Sequence, residues 1–320
     1  DLPDLDGPAD PWLELVGRSP TAAHSMLLLV DPGCGQINDL ISGLDYAYPG
    51  VVKVGGIAGQ HSARHGSLLL GDGVCSGAIG CLIGGSWQLD AVLAQGCRPI
   101  GPVFEIDQVQ RNVMLQLSSS EQSGTPVACL QGILQTLSPA EREQVRHSLF
   151  LGVGRDSFSS LGSGNSLGAG NSLGAGNSLG AGNSREDRGP AFLVRNLVGV
   201  DPRNGAVAVA ERLRVGQQVQ FQLRDAEASS QEARMLLAAE RRRQQAPLAA
   251  LLFACLGRGR GLFGHPDGDV SICRELFATT PVAGAFCNGE IGPVGGATHL
   301  HGYTASWCFL VPAEPSAPES

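Results

Sequence analysis

Lysine is almost absent from this chain. Lys53 is the only one among 22 basic residues, which leaves 21 arginines, a skew we attribute to genome composition. Charge as a whole is sparse at 16%, and aromatic residues make up only 5%. The balance is acidic, with a net charge of −8 and a pI of about 5.4. This argues against a general nucleic-acid binder, which needs a basic face to neutralise phosphates. No Cys-x-x-Cys occurs, so a structural zinc site has no sequence support and no cofactor is expected. No apolar run approaches the ~20 residues that span a bilayer, so no membrane segment is expected. The nine cysteines are odd in number and irregular in spacing. Cys75, Cys81, Cys129, Cys255 and Cys308 lie inside apolar runs, where a thiol behaves as a small buried hydrophobe. That pattern reads as a reducing, cytoplasmic compartment rather than a disulfide scaffold.

Glycine is abundant, with 45 residues, and much of it follows apolar strand-like runs. Two stretches repeat one pattern of apolar strand, glycine loop, helix, apolar strand, glycine loop and closing strands. The first runs 27–35, then 51–59 with Gly55 and Gly56, then 67–70 and 77–83. The second runs 251–264, then 281–296, then 300–306. The strands at 26–30 and 248–255 are apolar on both sides, as buried strands between covering layers are. The predicted fold is therefore α/β, with two pseudo-repeated halves and mixed β-sheets covered by helices. A seam between such halves is a natural place for a ligand.

Between the repeats, Ser138-Pro139-Ala140-Glu141 is a helix start with Ser as N-cap and Glu three residues on. A long helix is predicted from about 228 to 244, closed by Arg241, Arg242 and Arg243, where cations suit the helix dipole. Residues 161–184 are four hexads, Leu-Gly-Ser-Gly-Asn-Ser once and Leu-Gly-Ala-Gly-Asn-Ser three times. Such composition cannot repay ordering entropy, and we read it as a tether spanning roughly 25–30 Å r.m.s..

The chemistry-bearing residues cluster late. Gly259-Arg260-Gly261-Leu262-Phe263-Gly264 is a literal G-x-G-x-x-G after a strand. Two points weigh against the dinucleotide reading: the next helix is predicted near Asp269, and no acid ends a second strand ~20 residues on. A loop that brings backbone close to another ligand fits better. An amino acid is a zwitterion, so its site needs a converging cation and anion. Arg258 with Glu290 is the leading pair and Arg98 with Asp225 the second, with Asn288 able to serve either end. Arg260 flanks the same glycine loop. Cys255 and Cys287 occupy matching strand ends, and a nucleophilic role for either would use His301 as base. Packed thiols at strand ends are the simpler reading of both. His61 and His65 lie in a loop, and His299 and His301 share a strand face without a third metal ligand.

Several of these motifs resemble one family. The loop at 258–264, the run Cys287-Asn288-Gly289-Glu290-Ile291-Gly292-Pro293 and the ending at 301–306 resemble the C-terminal domain of the FIST family. So do Gly96-Cys97-Arg98-Pro99-Ile100-Gly101 and Leu223-Arg224-Asp225-Ala226-Glu227. Residues 1–100 resemble the latter part of the FIST N-terminal domain, including Leu5-Asp6 with Trp12 and Leu44-Asp45-Tyr46-Ala47-Tyr48-Pro49-Gly50. The resemblance implies an N-terminal portion at 1–100 and a C-terminal domain at 101–312, with the insert at about 157–188. Since the chain begins at Asp1, further sequence upstream is expected. It also implies a sensory, non-catalytic module for a small ligand, with amino acids as candidates and a downstream signalling protein as partner. The site expected on these grounds is Arg258, Gly259, Arg260, Gly261, Cys287, Asn288, Gly289, Glu290 and His301, with Arg98, Asp225, Gly55 and Gly56. One departure stands out: the resemblance leads one to expect Cys-Asn-Gly at the first C-terminal loop, where this chain has Cys255-Leu256-Gly257. Losing that amide removes a donor and an acceptor, so ligand choice is expected to differ. The alternatives from other classes are a cysteine-dependent enzyme and an interaction scaffold like the F-box-linked relatives.

Overall fold

The computed structural model describes residues 2–59, 68–155, 191–243 and 246–313. The hexad insert, His61 and His65 lie outside the described residues. The described chain forms two compact units, one from residues up to 95 and from 230 onward, the other from residues between 96 and 229. The first begins with α1 (Asp10–Val16), β1 (Ser25–Val30), α2 (Ile37–Ala47) and β2 (Val52–Ile57). The hairpin β3 (Leu68–Leu70) and β4 (Gly73–Cys75) follows, then β5 (Ala78–Ile83) and β6 (Trp87–Ala94). The second unit holds β7 (Cys97–Pro99), β8 (Phe104–Gln110), β9 (Val113–Ser118), β10 (Ser123–Gly124), α3 (Pro126–Thr136) and α4 (Pro139–Ser148). It continues with β11 (Leu149–Arg155), β12 (Ala191–Asp201), β13 (Ala206–Val209) and β14 (Gln218–Arg224). Helix α5 (Ala226–Arg243) carries the chain back. It leads to β15 (Ala249–Cys255), the one-turn α6 (Arg260–Phe263), α7 (Gly268–Leu276) and β16 (Val282–Cys287). The chain closes with β17 (Glu290–Val294), β18 (Ala297–His301) and β19 (Ala305–Pro312).

The first unit has four layers. Its two mixed sheets have the orders β18-β17-β2-β1-β5 and β16-β15-β19-β6. Alternation along each central strand decides what each face meets. Met26, Leu28 and Val30 pack with Trp12 and with Leu40, Ile41 and Leu44 of α2, while Leu27 and Leu29 turn to the second sheet. Ala250, Leu252 and Ala254 pack with Ala233 and Leu237 of α5 and Ile272 of α7, while Leu251 and Phe253 turn to the first sheet. The repeat is visible in the pairing: β1 is parallel to β2 and antiparallel to β5, and β15 is parallel to β16 and antiparallel to β19. It is visible again in the glycines. Gly55 lies opposite Leu28 and Gly284 opposite Leu252. A Cβ on either would fall 1.8 or 2.0 Å from that leucine's carbonyl oxygen, so only glycine fits.

Each half lends a strand to the other's sheet. β17 pairs with β2, and β6 pairs with β19 along its full length. Asp45 of α2 fastens this exchange. Its carboxylate accepts from the Thr298 amide and hydroxyl, both at 2.7 Å, and from the buried Lys53 ammonium at 2.9 Å. The ammonium also donates to the Tyr48 and Val51 carbonyls at 2.9 Å. Burial pulls the Lys53 pKa down, against the bond and charge of Asp45.

The second unit is a closed antiparallel barrel, since β8 pairs with both β9 and β14 and completes the ring through β13, β12 and β11. Closure leaves those strands without open edges. Phe104, Ile106, Leu151, Val219 and Phe221 fill it, and Phe104 meets Phe221 edge-on at 6.0 Å. The expected capping box of α4 is present: the Glu141 amide donates to Ser138 Oγ and the Ser138 amide to Glu141 Oε2. Arg155 and Ala191, which flank the segment that carries the hexads, are partners in the antiparallel ladder. Deleting 161–184 shortens a hairpin connection, and loop length affects stability only weakly. The variant is expected to melt within a few degrees of the parent and to bind the same ligand. A variant that fails to fold would show that the hexads are structural.

Glu240 of α5 is buried, with Arg243 Nη1 3.8 Å from its Oε2. Burial, then the charge of Asp90, push its carboxyl up to about 7. The folded chain thus holds this proton more tightly than the unfolded one. The stability it adds is complete below the ordinary carboxyl pKa and is lost as pH rises through about 7, at up to ~1.4 kcal/mol per pH unit. Glu240→Gln is expected to exceed the parent in thermal stability at pH 8 and to lose most of that advantage at pH 5. An advantage that does not change with pH would rule this out.

Candidate functional site

Where β15 ends, the chain folds over its own sheet. The Leu256 amide donates to the Cys287 carbonyl at 2.9 Å and the Arg258 amide to the Cys255 carbonyl at 2.8 Å. Gly259 then takes a left-handed φ of 60° and opens α6 directly. This one-turn helix was not expected from the sequence, which placed the next helix near Asp269. The turn directs Arg258 inward, where its side chain is fully buried. Nε and Nη2 donate to the two carboxylate oxygens of Asp269 at 2.9 and 2.7 Å. Nη1 donates to the Tyr303 carbonyl at 3.1 Å, and the guanidinium lies 5.5 Å from the centre of the Phe263 ring. Burial opposes the Arg258 charge, but Asp269 outweighs it and raises the pKa.

A cavity of about 670 Å³ opens beside this pair. Arg258, Gly259, Arg260 and Gly261 line one side, Asp267, Gly268 and Asp269 at the start of α7 another, and Val282 through Phe286 of β16 a third. Leu252, Ala254 and Leu256 give it an apolar floor, and Arg274 stands at its margin. The Arg258 and Asp269 side chains in this wall are buried and bonded to each other, and Arg260 is an exposed cation on it.

The remaining predicted residues of the second repeat gather at the junction of the two halves. The Ile57 amide donates to the Gly289 carbonyl and the Asn288 amide to the Ile57 carbonyl, at 2.8 and 2.9 Å. A Cβ on Gly56 would fall 2.5 Å from the Cys287 sulfur. Glu290 lies opposite both Gly56 and His301 in the ladders. It is fully buried, and its Oε2 accepts from the Thr304 amide at 3.1 Å and hydroxyl at 2.8 Å. His301 Nε2 lies 3.0 Å from the Gly292 carbonyl.

The pairing of Arg258 with Glu290 is thus not a direct one. Arg258 pairs with Asp269, and Glu290 is not among the cavity residues. The two are linked through a single peptide group instead: Arg258 binds its carbonyl at Tyr303 and Glu290 binds its N–H at Thr304. Tyr303 holds a left-handed φ of 67° there, a strained conformation for a bulky residue. Arg98 and Asp225 do approach, at 3.7 Å, but Arg98 is closer to Glu141, at 2.5 Å. Asp225 caps α5 by accepting from the Glu227 and Ala228 amides, so this pair holds a helix end. Asp269, Tyr303 and Phe286 escaped the sequence reading. Asp269 had one legible signal, an acid in the first turn of a helix.

Comparison with known proteins agrees with the motifs. Residues 6–119 match the FIST N domain and residues 128–293 the FIST C domain. An uncharacterised protein of Mycobacterium tuberculosis (strain CDC 1551 / Oshkosh) is 35% identical over 301 residues, covering 92% of this chain and 70% of the relative. An uncharacterised protein of Mycobacterium bovis (strain ATCC BAA-935 / AF2122/97) is 34% identical over 297 residues, covering 91% and 68% respectively. Among the described residues no helix is long and apolar enough to cross a membrane, and no group of three or more His, Cys, Asp or Glu is placed to hold a metal.

Cys287 is buried, and its thiol lies 3.6 Å from the Ala285 carbonyl. Burial, then the charges of Glu290 and Cys255, push it up to about 12. A nucleophilic cysteine needs the opposite shift. At pH 7.5 an alkylating probe is expected to reach the exposed Cys81 first and Cys287 more than ~100-fold more slowly, as read by peptide mass spectrometry. Rapid labelling of Cys287 would return it to the list of catalytic candidates.

Proposed function

The chain belongs to the FIST family, and from that premise we propose that it is a non-catalytic sensor that takes an amino acid, or a small polar metabolite like one, into the cavity beside Arg258. FIST domains are sensory and signal-transduction domains, and this chain matches the N domain at 6–119 and the C domain at 128–293. The observation that carries the reading is the Arg258–Asp269 pair on the cavity wall. A zwitterion needs a cation and an anion together, and this buried, mutually bonded pair fixes both in the wall behind the cavity. Arg260 adds a cation for the ligand carboxylate, and the apolar floor suits a side chain. Buried ion pairs are held rigidly because breaking one strands a charge, so the ligand meets a preformed surface.

Occupancy has a route outward. A ligand that draws on Arg258 alters its bond to the Tyr303 carbonyl, and the same peptide group holds Glu290 at the junction of the halves. A downstream signalling protein would read the resulting population shift. The test is calorimetry against a panel of amino acids and nucleotides. At least one amino acid is expected to bind, and Arg260→Gln, an exposed change, is expected to weaken it about tenfold (~1.4 kcal/mol) without moving the melting temperature. Tight nucleotide binding with silence across the amino acids would overturn the reading.

A further inference from the structure

The edge of the second sheet at β16 is built to pair. Its ladder with β15 starts where the Ala250 amide donates to Pro281 and ends where the Leu256 amide donates to Cys287. In a parallel ladder the bonding residues alternate, so the odd-numbered residues of β16 face β15. Val282, Gly284 and Phe286 then direct their N–H and C=O groups outward. Among the described residues nothing pairs with that side, and residues 283–286 are exposed. Proteins usually protect such an edge with charge, proline, a bulge or a cover. β16 reads Val-Ala-Gly-Ala-Phe-Cys, with no charge or proline, and among the described residues no strand covers it.

The twin of this edge in the other half shows what such a side accepts. By the repeat, β2 corresponds to β16, and Gly55 and Ile57 to Gly284 and Phe286. There Ile57 uses its outward amide and carbonyl to bind residues 288 and 289, and β17 runs antiparallel along Gly55 and Gly56. Among the described residues the β16 edge is the same edge without its strand.

We propose that β16 pairs with β16 of a second copy of this chain, antiparallel about Gly284, joining two four-stranded sheets into one of eight. The register is self-complementary. With Gly284 opposite Gly284, Val282 falls opposite Phe286 at both ends, and all three outward residues form hydrogen-bonded pairs. Val282 and Phe286 then make an apolar cross-strand contact on the helix-covered side. Ala283 and Ala285 oppose each other as the close, non-hydrogen-bonded pairs. No charge on β16 opposes itself. The interface is isologous and closes as a dimer.

Ala283 and Ala285 are exposed, so charges there leave the monomer fold intact. Sedimentation of the full chain between 1 and 100 µM is expected to show a dimer. Ala283→Glu with Ala285→Glu is expected to give a monomer, because each Glu faces another Glu across the axis. Ala283→Lys with Ala285→Lys is expected to do the same. Mixing the two doubly substituted chains is expected to restore a one-to-one heterodimer that dissociates in high salt. A wild-type chain that stays monomeric at 100 µM would overturn the proposal. So would Glu and Lys variants that both remain dimers, since the contact would then lie elsewhere. Slow amide exchange at residues 282, 284 and 286 in a monomer would also overturn it, by showing that the chain covers its own edge.

Discussion

The first unit rests on an exchange of strands. β17 leaves the second repeat to pair with β2 of the first, and β6 leaves the first to pair with β19 of the second. Neither half completes its sheet alone, so the hydrophobic layer between the sheets forms only when both are in place. Asp45 binds the two ends of this exchange, Lys53 on the first half and Thr298 on the second. A buried lysine is costly in isolation and is kept by its carboxylate and two carbonyls. The one lysine in the chain is therefore structural, and so is the Asp45 motif that carries part of the family resemblance.

The same constraint sets where chemistry can sit. The ends of β2 and β16 meet at the junction, and glycine at 56 lets the turn at 287–289 settle against β2. Glu290 and His301 are drawn into that contact and sealed. Arg258 lies on the other side of the peptide joining Tyr303 to Thr304, facing the cavity. One peptide group thus separates the buried Arg258–Asp269 pair from the seam that holds the halves together. The proximity supports a sensor rather than an isolated pocket, because displacement on one side is felt across a hydrogen-bonded unit.

Local signals were read well wherever local physics governs. Ser138 with Glu141 marked α4, and the doubled strand pattern marked the repeat. Partners were read less well. Arg258 was expected to face Glu290, whereas the carboxylate it binds is Asp269 at a helix start. Both carboxylates follow the arginine at loop-and-helix distances, and nothing in their spacing ranks them. β6 went unread, although it spans the second sheet, because its role depends on a partner more than 200 positions away.

Composition and periodicity by themselves determined the α/β class, the two-sided burial of the central strands, the repeat and the glycine loops, since each follows from forces acting over a few residues. The tertiary structure alone decided that the barrel closes, that each half lends a strand to the other, and that Arg258 faces Asp269. Those outcomes depend on which distant surfaces bury each other best, and such a choice is made by the whole chain at once.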